Sequence, residues 1–188
     1  MYIKEIISLI EEYAPLKFQA SFDNSGLLCG DPERELTSVL LCIDVTEEVV
    51  NEAIAHGHNL IISHHPLIFS GLKHITPATY VERCVISAIK HDITIYAAHT
   101  NMDVVANGVS GRMADKLRLS SRQILQPEGD PSEGNGFGII GELDTPIESM
   151  TFLQQVKEVF HCDRLRYTQP HMSTIRRVAV CGGAGASF

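Results

Sequence analysis

Apolar positions recur along this chain with two different periods. Ile3, Ile6, Ile7 and Ile10 stand at helical spacing with Lys4, Glu5, Glu11 and Glu12 between them, and Pro15 closes the run, which predicts an amphipathic N-terminal helix. FDNSGLLCGDPE follows, dense in Asp, Asn, Ser, Gly and Pro, and fits a looped hairpin or turn. From Ser38 the run SVLLCID has strand character and ends at Asp44. Thr46 then suits a helix N-cap, Glu47 and Glu48 suit the first turn, and Gly57 stops the helix after about His56. The pattern repeats. NLIIS predicts a buried strand ending at Ser63, Thr76 and Pro77 offer a cap and a first-turn proline for a helix through about Lys90, and ITIYAAH is a third strand.

Strands that read as continuous apolar runs and alternate with helices predict parallel pairing with both faces covered, a three-layer α/β/α fold. After a helix around Val109 to Leu117, ILQPEGDPSEGNG has the composition of a linker or exposed loop. It divides the chain into a first α/β half over residues 1–124 and a linker with further elements over 125–188. There GFGIIGEL, TFLQQVKEVF, RLRYT and RRVAVC predict strand, helix, strand and strand. No repeat of solenoid period is visible. The closing VAVCGGAGASF puts a strand before a Gly-rich turn whose spacing matches neither G-x-G-x-x-G nor a P-loop, so a tight turn is favoured over a phosphate cradle.

Composition narrows the function classes. The 188 residues are 44% hydrophobic, enough for a real core, and 15 Lys+Arg against 23 Asp+Glu leave a net charge of −8, which disfavours nucleic acid and anionic membranes as partners. No apolar run approaches the roughly 20 residues that span a bilayer, and Glu5, Glu11 and Glu12 interrupt the start where a signal peptide is apolar. The five cysteines (29, 42, 84, 162, 181) contain no C-x-x-C pair, which argues against a disulfide framework or a thiolate zinc site. A cytoplasmic protein with buried thiols is expected.

Histidine placement carries the chemistry. NLIIS runs into His64-His65-Pro66, and ITIYAA runs into His99-Thr100-Asn101-Met102-Asp103. Ligands of parallel α/β sheets sit beyond the carboxyl ends of the strands, so both segments should face one site if their strands are neighbours. Neutral imidazoles with a carboxylate suit Zn, Mn, Fe, Co or Ni, and adjacent histidines diverge enough to serve two ions. Other histidines lack this pattern: His56 and His58 flank Gly57 at a helix end, and His74, His91, His161 and His171 have no partner spacing. Asp23 is expected to cap a local Asx-turn, with an approach to the same cleft as the alternative. A serine hydrolase using Ser25 or Ser63 with Asp44 or Asp103 lacks G-x-S-x-G, and Cys29 and Cys181 are the loop candidates for a cysteine nucleophile.

FDNSGLLCG, LLCIDVTEEVVNEA, NLIISHHPLIFSGLKHI, AAHTNMDVVANGV and RRVAVCGGAGASF occur in the order seen in the NGG-interacting-factor-like proteins, which carry the label GTP cyclohydrolase type 2 homologues. The resemblance extends over nearly the whole chain. It implies a mixed, largely parallel sheet in two similar intertwined halves and a toroidal homohexamer. Each complete subunit would hold two divalent metal ions, with His64 and His65 as ligands to different ions, Asp103 as a further ligand and His99 beside the site or facing substrate. Phe22 stands where the family usually has Trp, a change of packing rather than chemistry. The family's later His-x-x-x-Glu segment lies beyond Phe188, so the second half and the dinuclear site are expected to be incomplete here, with at most one weakly held ion and negligible turnover. The function implied is a metal-dependent hydrolase of a small nucleotide-like or heterocyclic substrate that uses metal-activated water. The alternatives are a non-catalytic metal-binding or delivery protein, or an interaction scaffold.

Overall fold

The N-terminal isoleucine pattern becomes α1 (Ile3–Tyr13) in the computed structural model, which describes residues 1–128, 134–183 and 185. The chain divides into two units, Met1–Met102 and Asp103–Phe188.

In the first unit, β1 (Gly26–Cys29), β2 (Val39–Cys42), β3 (Leu60–Ser63) and β4 (Thr94–Ala97) form one sheet in the order β1-β4-β3-β2. Strands β2, β3 and β4 are parallel, and β1 is antiparallel to β4. Side chains alternate across the pleat. Leu60 and Tyr96 therefore pack with Ile3 and Ile7 of α1, while Ile61 and Ile95 pack on the other face with Val50 and Ala53 of α2 (Glu47–His56) and Cys84, Val85 and Ala88 of α3 (Tyr80–Lys90). The unit is thus a three-layer α/β/α sandwich. Each fully buried aliphatic side chain contributes about 1.5–3 kcal/mol. Thr46 caps α2 by accepting from the Val49 N–H at 3.3 Å, and Gly57 ends it in the left-handed region, as expected.

Two local expectations change. α3 begins at Tyr80 rather than at Pro77, because Thr79 and Glu82 form the capping box: Thr79 Oγ1 accepts from the Glu82 N–H, and the Glu82 carboxylate accepts from the Thr79 N–H. Thr76, the cap expected from sequence, instead donates its hydroxyl to Glu82 Oε2 at 2.8 Å. GLLC, inside the turn-rich segment, is the edge strand β1. Its pairing is with a strand far along the chain, Gly26 opposite Ala97 and Leu27 opposite Tyr96, which local composition does not encode.

The boundary between units falls inside α4 (Thr100–Val104). In the second unit, β5 (Ser120–Pro127), β6 (Gly136–Glu148) and β7 (Thr174–Val180) form an antiparallel sheet in the order β5-β6-β7. α5 (Val109–Lys116) and α6 (Ser149–Val159) share a core with it, built around Ala114, Ile139, Phe152, Val178 and Val180. The largely parallel sheet expected from the strand–helix alternation is therefore corrected to one mixed and one antiparallel sheet. The reason is visible after α6, where the irregular segment 160–173 lets the chain return to pair β7 antiparallel with β6. RLRYT lies in that segment and is not a strand, since β6 already has a neighbour on each side. Ile124–Pro127, assigned to the linker, belongs to β5, and the linker residues 129–133 lie outside the described residues, as do residues 184 and 186–188 at the terminal Gly-rich turn.

Candidate metal centre

Strand register builds this site. Cys42 lies opposite Ser63, and Ser63 lies opposite Ala97. Two residues further along each parallel strand, Asp44, His65 and His99 therefore fall side by side past the carboxyl ends. Pairing continues into this region: the His64 and His65 N–H groups donate to the carbonyls of Cys42 at 3.2 Å and Ile43 at 2.9 Å. The antiparallel β1 brings Asp23 to the other side of His99, so a row of Asp44, His65, His99 and Asp23 crosses the sheet, with His64 beside it.

The rings of His64, His65 and His99 converge. Their centroids are 5.0 Å apart for His64 and His65, 5.2 Å for His64 and His99, and 5.5 Å for His65 and His99. One ring nitrogen from each lies within 4.8 Å of the others.

Each Nδ1 meets an oxygen that can only accept. His64 Nδ1 lies 2.9 Å from the Ala98 carbonyl, His65 Nδ1 lies 2.8 Å from Asp44 Oδ1, and His99 Nδ1 lies 2.8 Å from Asp23 Oδ1. These oxygens fit a proton on Nδ1 in each ring, the tautomer that such acceptors select. That is the arrangement found behind metal-binding histidines, where the far nitrogen is tied to a carboxylate or carbonyl. Three neutral imidazoles suit Zn and its divalent neighbours, and three protein ligands leave a tetrahedral ion one position for water or substrate. The residues present fit one such ion.

The two carboxylates hold their histidines with unequal rigidity. The Asp44 side chain is 64% exposed, whereas that of Asp23 is fully buried. Burial opposes the charge on Asp23, but hydrogen bonds from His99, Thr100, Ser25 and the Asn24 N–H outweigh it and hold the carboxyl well below the usual carboxylate range. Asp23 does make the expected local turn, accepting from the Asn24 N–H at 2.7 Å and the Ser25 hydroxyl at 2.7 Å. It also accepts from both the N–H and the hydroxyl of Thr100, so the local and the long-range roles coexist. Asn101, fully buried, fixes the backbone on the other side: its Oδ1 accepts from the His99 N–H at 3.0 Å, and its Nδ2 donates to the Ala14 carbonyl at 2.7 Å.

The competing nucleophiles lose ground. Ser63 donates its hydroxyl to the His65 carbonyl and Ser25 donates to Asp23, so neither is paired with an imidazole. Burial pushes the Cys29 thiol up to about 11, and Cys181 is raised by burial and by the Asp103 carboxylate, which keeps both protonated at neutral pH. Outside the cluster, His58 Nδ1 is tied to the Ser38 hydroxyl at 2.6 Å and His91 Nδ1 to the Ser87 carbonyl at 2.8 Å, both structural roles. Asp103, four positions beyond His99, sits in α4 at the start of the second unit.

Of these residues, the sequence marked His64 and His65 as ligands and His99 as a neighbour of the site or substrate-facing group, where the structure groups all three rings, and it did not mark the tie between Asp44 and His65. Asp44 was visible as the end of a strand, and parallel register would have placed it. A family model described as Duf34/NIF3 (NGG1p interacting factor 3) matches residues 1–188. The chain belongs to the Duf34/NIF3 family. Over 188 residues it is 36% identical to a GTP cyclohydrolase 1 type 2 homolog of Clostridium perfringens, covering 100% of this chain and 71% of that protein. Among solved structures, a hypothetical protein of Staphylococcus aureus superposes with a TM-score of 0.87 at 30% identity, covering 100% of this chain and 73% of that one. A Bacillus cereus protein related to NIF3 superposes with a TM-score of 0.89 at 26% identity, covering 98% and 77%. No helix among the described residues is long and apolar enough to cross a membrane.

Proposed function

We propose that this Duf34/NIF3 protein binds divalent metal at the His64, His65 and His99 cluster and hydrolyses a small nucleotide-like or heterocyclic substrate there. The observation that carries this reading is that one ring nitrogen from each of His64, His65 and His99 lies within 4.8 Å of the others, while each Nδ1 sits at hydrogen-bond distance from an oxygen. When bound, a divalent ion supplies Lewis acidity toward a substrate oxygen and toward water, the chemistry that hydrolysis at neutral pH needs. The chain's own residues fix the geometry. Asp23 holds His99 in one tautomer and orientation, Asp44 does so for His65, and the Ala98 carbonyl does so for His64. His65 is half exposed, which gives substrate and water a way in.

Asp103 as a further ligand, a second ion that makes the centre dinuclear, a pairing of two similar halves, and a homohexameric ring are parts of the same proposal that extend it from the resemblance. A cytoplasmic location completes it, supported by five free cysteines.

Calorimetric titration with Zn²⁺ or Mn²⁺ counts the ions. Assays of the full-length protein against nucleotides, cyclic nucleotides and pterin precursors, with metal present and then chelated, read hydrolysis. Turnover that disappears with the chelator is the expected result. Saturable metal binding without turnover on any of these would replace the hydrolase by metal storage or delivery. A scaffold is favoured if partner binding survives both His64→Ala and Asp103→Ala.

A further inference from the structure

Phe22 and Phe69 form an aromatic pair whose position the metal centre does not explain. Their ring centroids are 6.5 Å apart at an interplanar angle of 43°, yet Phe22 is 68% and Phe69 is 50% exposed. Aromatic rings stabilise a fold by leaving water, and these two remain largely in it. They are nevertheless held together. Phe22 directly precedes Asp23, the carboxylate tied to His99, and Phe69 follows His65 by four positions on the next strand-end loop. The two loops are joined by Asn24, whose Nδ2 donates to the Ile68 carbonyl at 2.6 Å, and the second is anchored by buried Leu67.

We propose that Phe22 and Phe69 form a stacking subsite for the planar heteroaromatic ring of the substrate, beside the histidine cluster. With the two rings tilted by 43°, a flat ring that stacks on one phenyl face meets the other at an angle, close to the arrangements aromatic pairs prefer. The pair offers no hydrogen-bonding or charged group, so it favours a flat π-face over a phosphate. Discrimination between ring types falls to other groups. This subsite rests on the proposed hydrolase reading, since it names the substrate class of the same site, and its two rings are carried by the loops that also carry Asp23, the partner of His99, and His65.

The chain contains no tryptophan, so Phe22→Trp installs a single tryptophan in the pair while keeping an aromatic face. Guanosine and neopterin serve as planar probes and ribose as the control without a ring. The expected result is saturable quenching by at least one planar probe and none by ribose. Adding Phe69→Ala should weaken that binding on the order of tenfold, as loss of one stacking partner does. Zinc affinity, read by calorimetry, should be unchanged in these variants. Three results overturn the subsite: no quenching by either probe, quenching indifferent to Phe69→Ala, or a change of oligomeric state in Phe22→Ala by light scattering, which would assign the rings to an interface. Zinc is read separately, so protein that binds the probes but no zinc keeps the subsite and overturns the metal reading, and the reverse result does the opposite.

Discussion

Asp23 and His99 stand 76 positions apart in the chain and meet at 2.8 Å, carboxylate oxygen to ring Nδ1. Everything around Asp23 defends that contact, from the Thr100 hydroxyl and N–H to the turn at Asn24 and Ser25. The carboxylate is therefore a fixed acceptor that sets the His99 tautomer. Replacing it by Asn leaves one oxygen where two served and brings an amide N–H against groups that themselves donate. Asp23→Asn should weaken zinc binding about 10- to 100-fold, the range seen when the partner behind a liganding histidine is lost. Asp44→Asn should cost less, because Asp44 is exposed and water can replace it. Competition titration against a chromogenic chelator ranks the two, and an equal or reversed order would contradict the assignment of Asp23 as the rigid partner.

Binding at the cluster stabilises the fold through mass action. With zinc at 100 times its Kd the gain is about 2.7 kcal/mol, which for a chain of this size is a rise of roughly 5–10 °C in unfolding midpoint. A chelator should reverse it, and the variant carrying Ala at His64, His65 and His99 should show no rise at all. A shift that survives the triple substitution in a thermal melt would place the ion elsewhere.

What the sequence makes legible follows the range over which each signal acts. Capping by Thr46 and the stop at Gly57 are decided within one helical turn, and both can be read from neighbouring residues. The same holds for the strands that deliver His64, His65 and His99. Asp23 is different: its turn-forming neighbours are visible, but its bond to His99 depends on an antiparallel edge strand whose partner is distant in sequence. Asp44 needs the parallel register to be known before it can be set beside His65. For α3, two threonines compete for the cap, and the choice is made by Glu82 lying three residues after Thr79. Strand direction in the second sheet escapes pattern reading altogether, because an irregular segment and not a helix makes the final return.

Glu82 gives the fold a pH dependence separate from the metal. The Thr76 hydroxyl bond lowers its pKa, burial opposes that, and the N–H groups of Thr79 and Ala78 add to the lowering. Because the folded value lies below the unfolded one, the stabilisation is present above the ordinary value of 4.5 and is lost as pH falls through the folded value. Glu82→Gln keeps an acceptor but no charge. Urea unfolding, measured without metal, should therefore find the variant less stable at neutral pH and indistinguishable from the parent in acid. A gap that stays constant with pH would assign the effect to packing.

Gly30 tests whether the edge strand must close tightly for the site to form. Its φ of +98° lies where side chains are strained, and an added Cβ would stand 2.5 Å from the Thr94 Cα, a backbone atom that cannot step aside. Gly30→Ala must therefore push the end of β1 away from β4, and the cost should be at least about 2 kcal/mol of stability. The displacement acts on the element that leads back to Asp23, so zinc affinity should fall as well, although Gly30 touches no histidine. Val50→Ala is the control: it removes core volume between α2 and the sheet, with a cost in the same range, and should leave zinc affinity unchanged while the protein is folded. Equal loss of zinc binding in the two variants would mean that affinity follows global stability and not the position of β1.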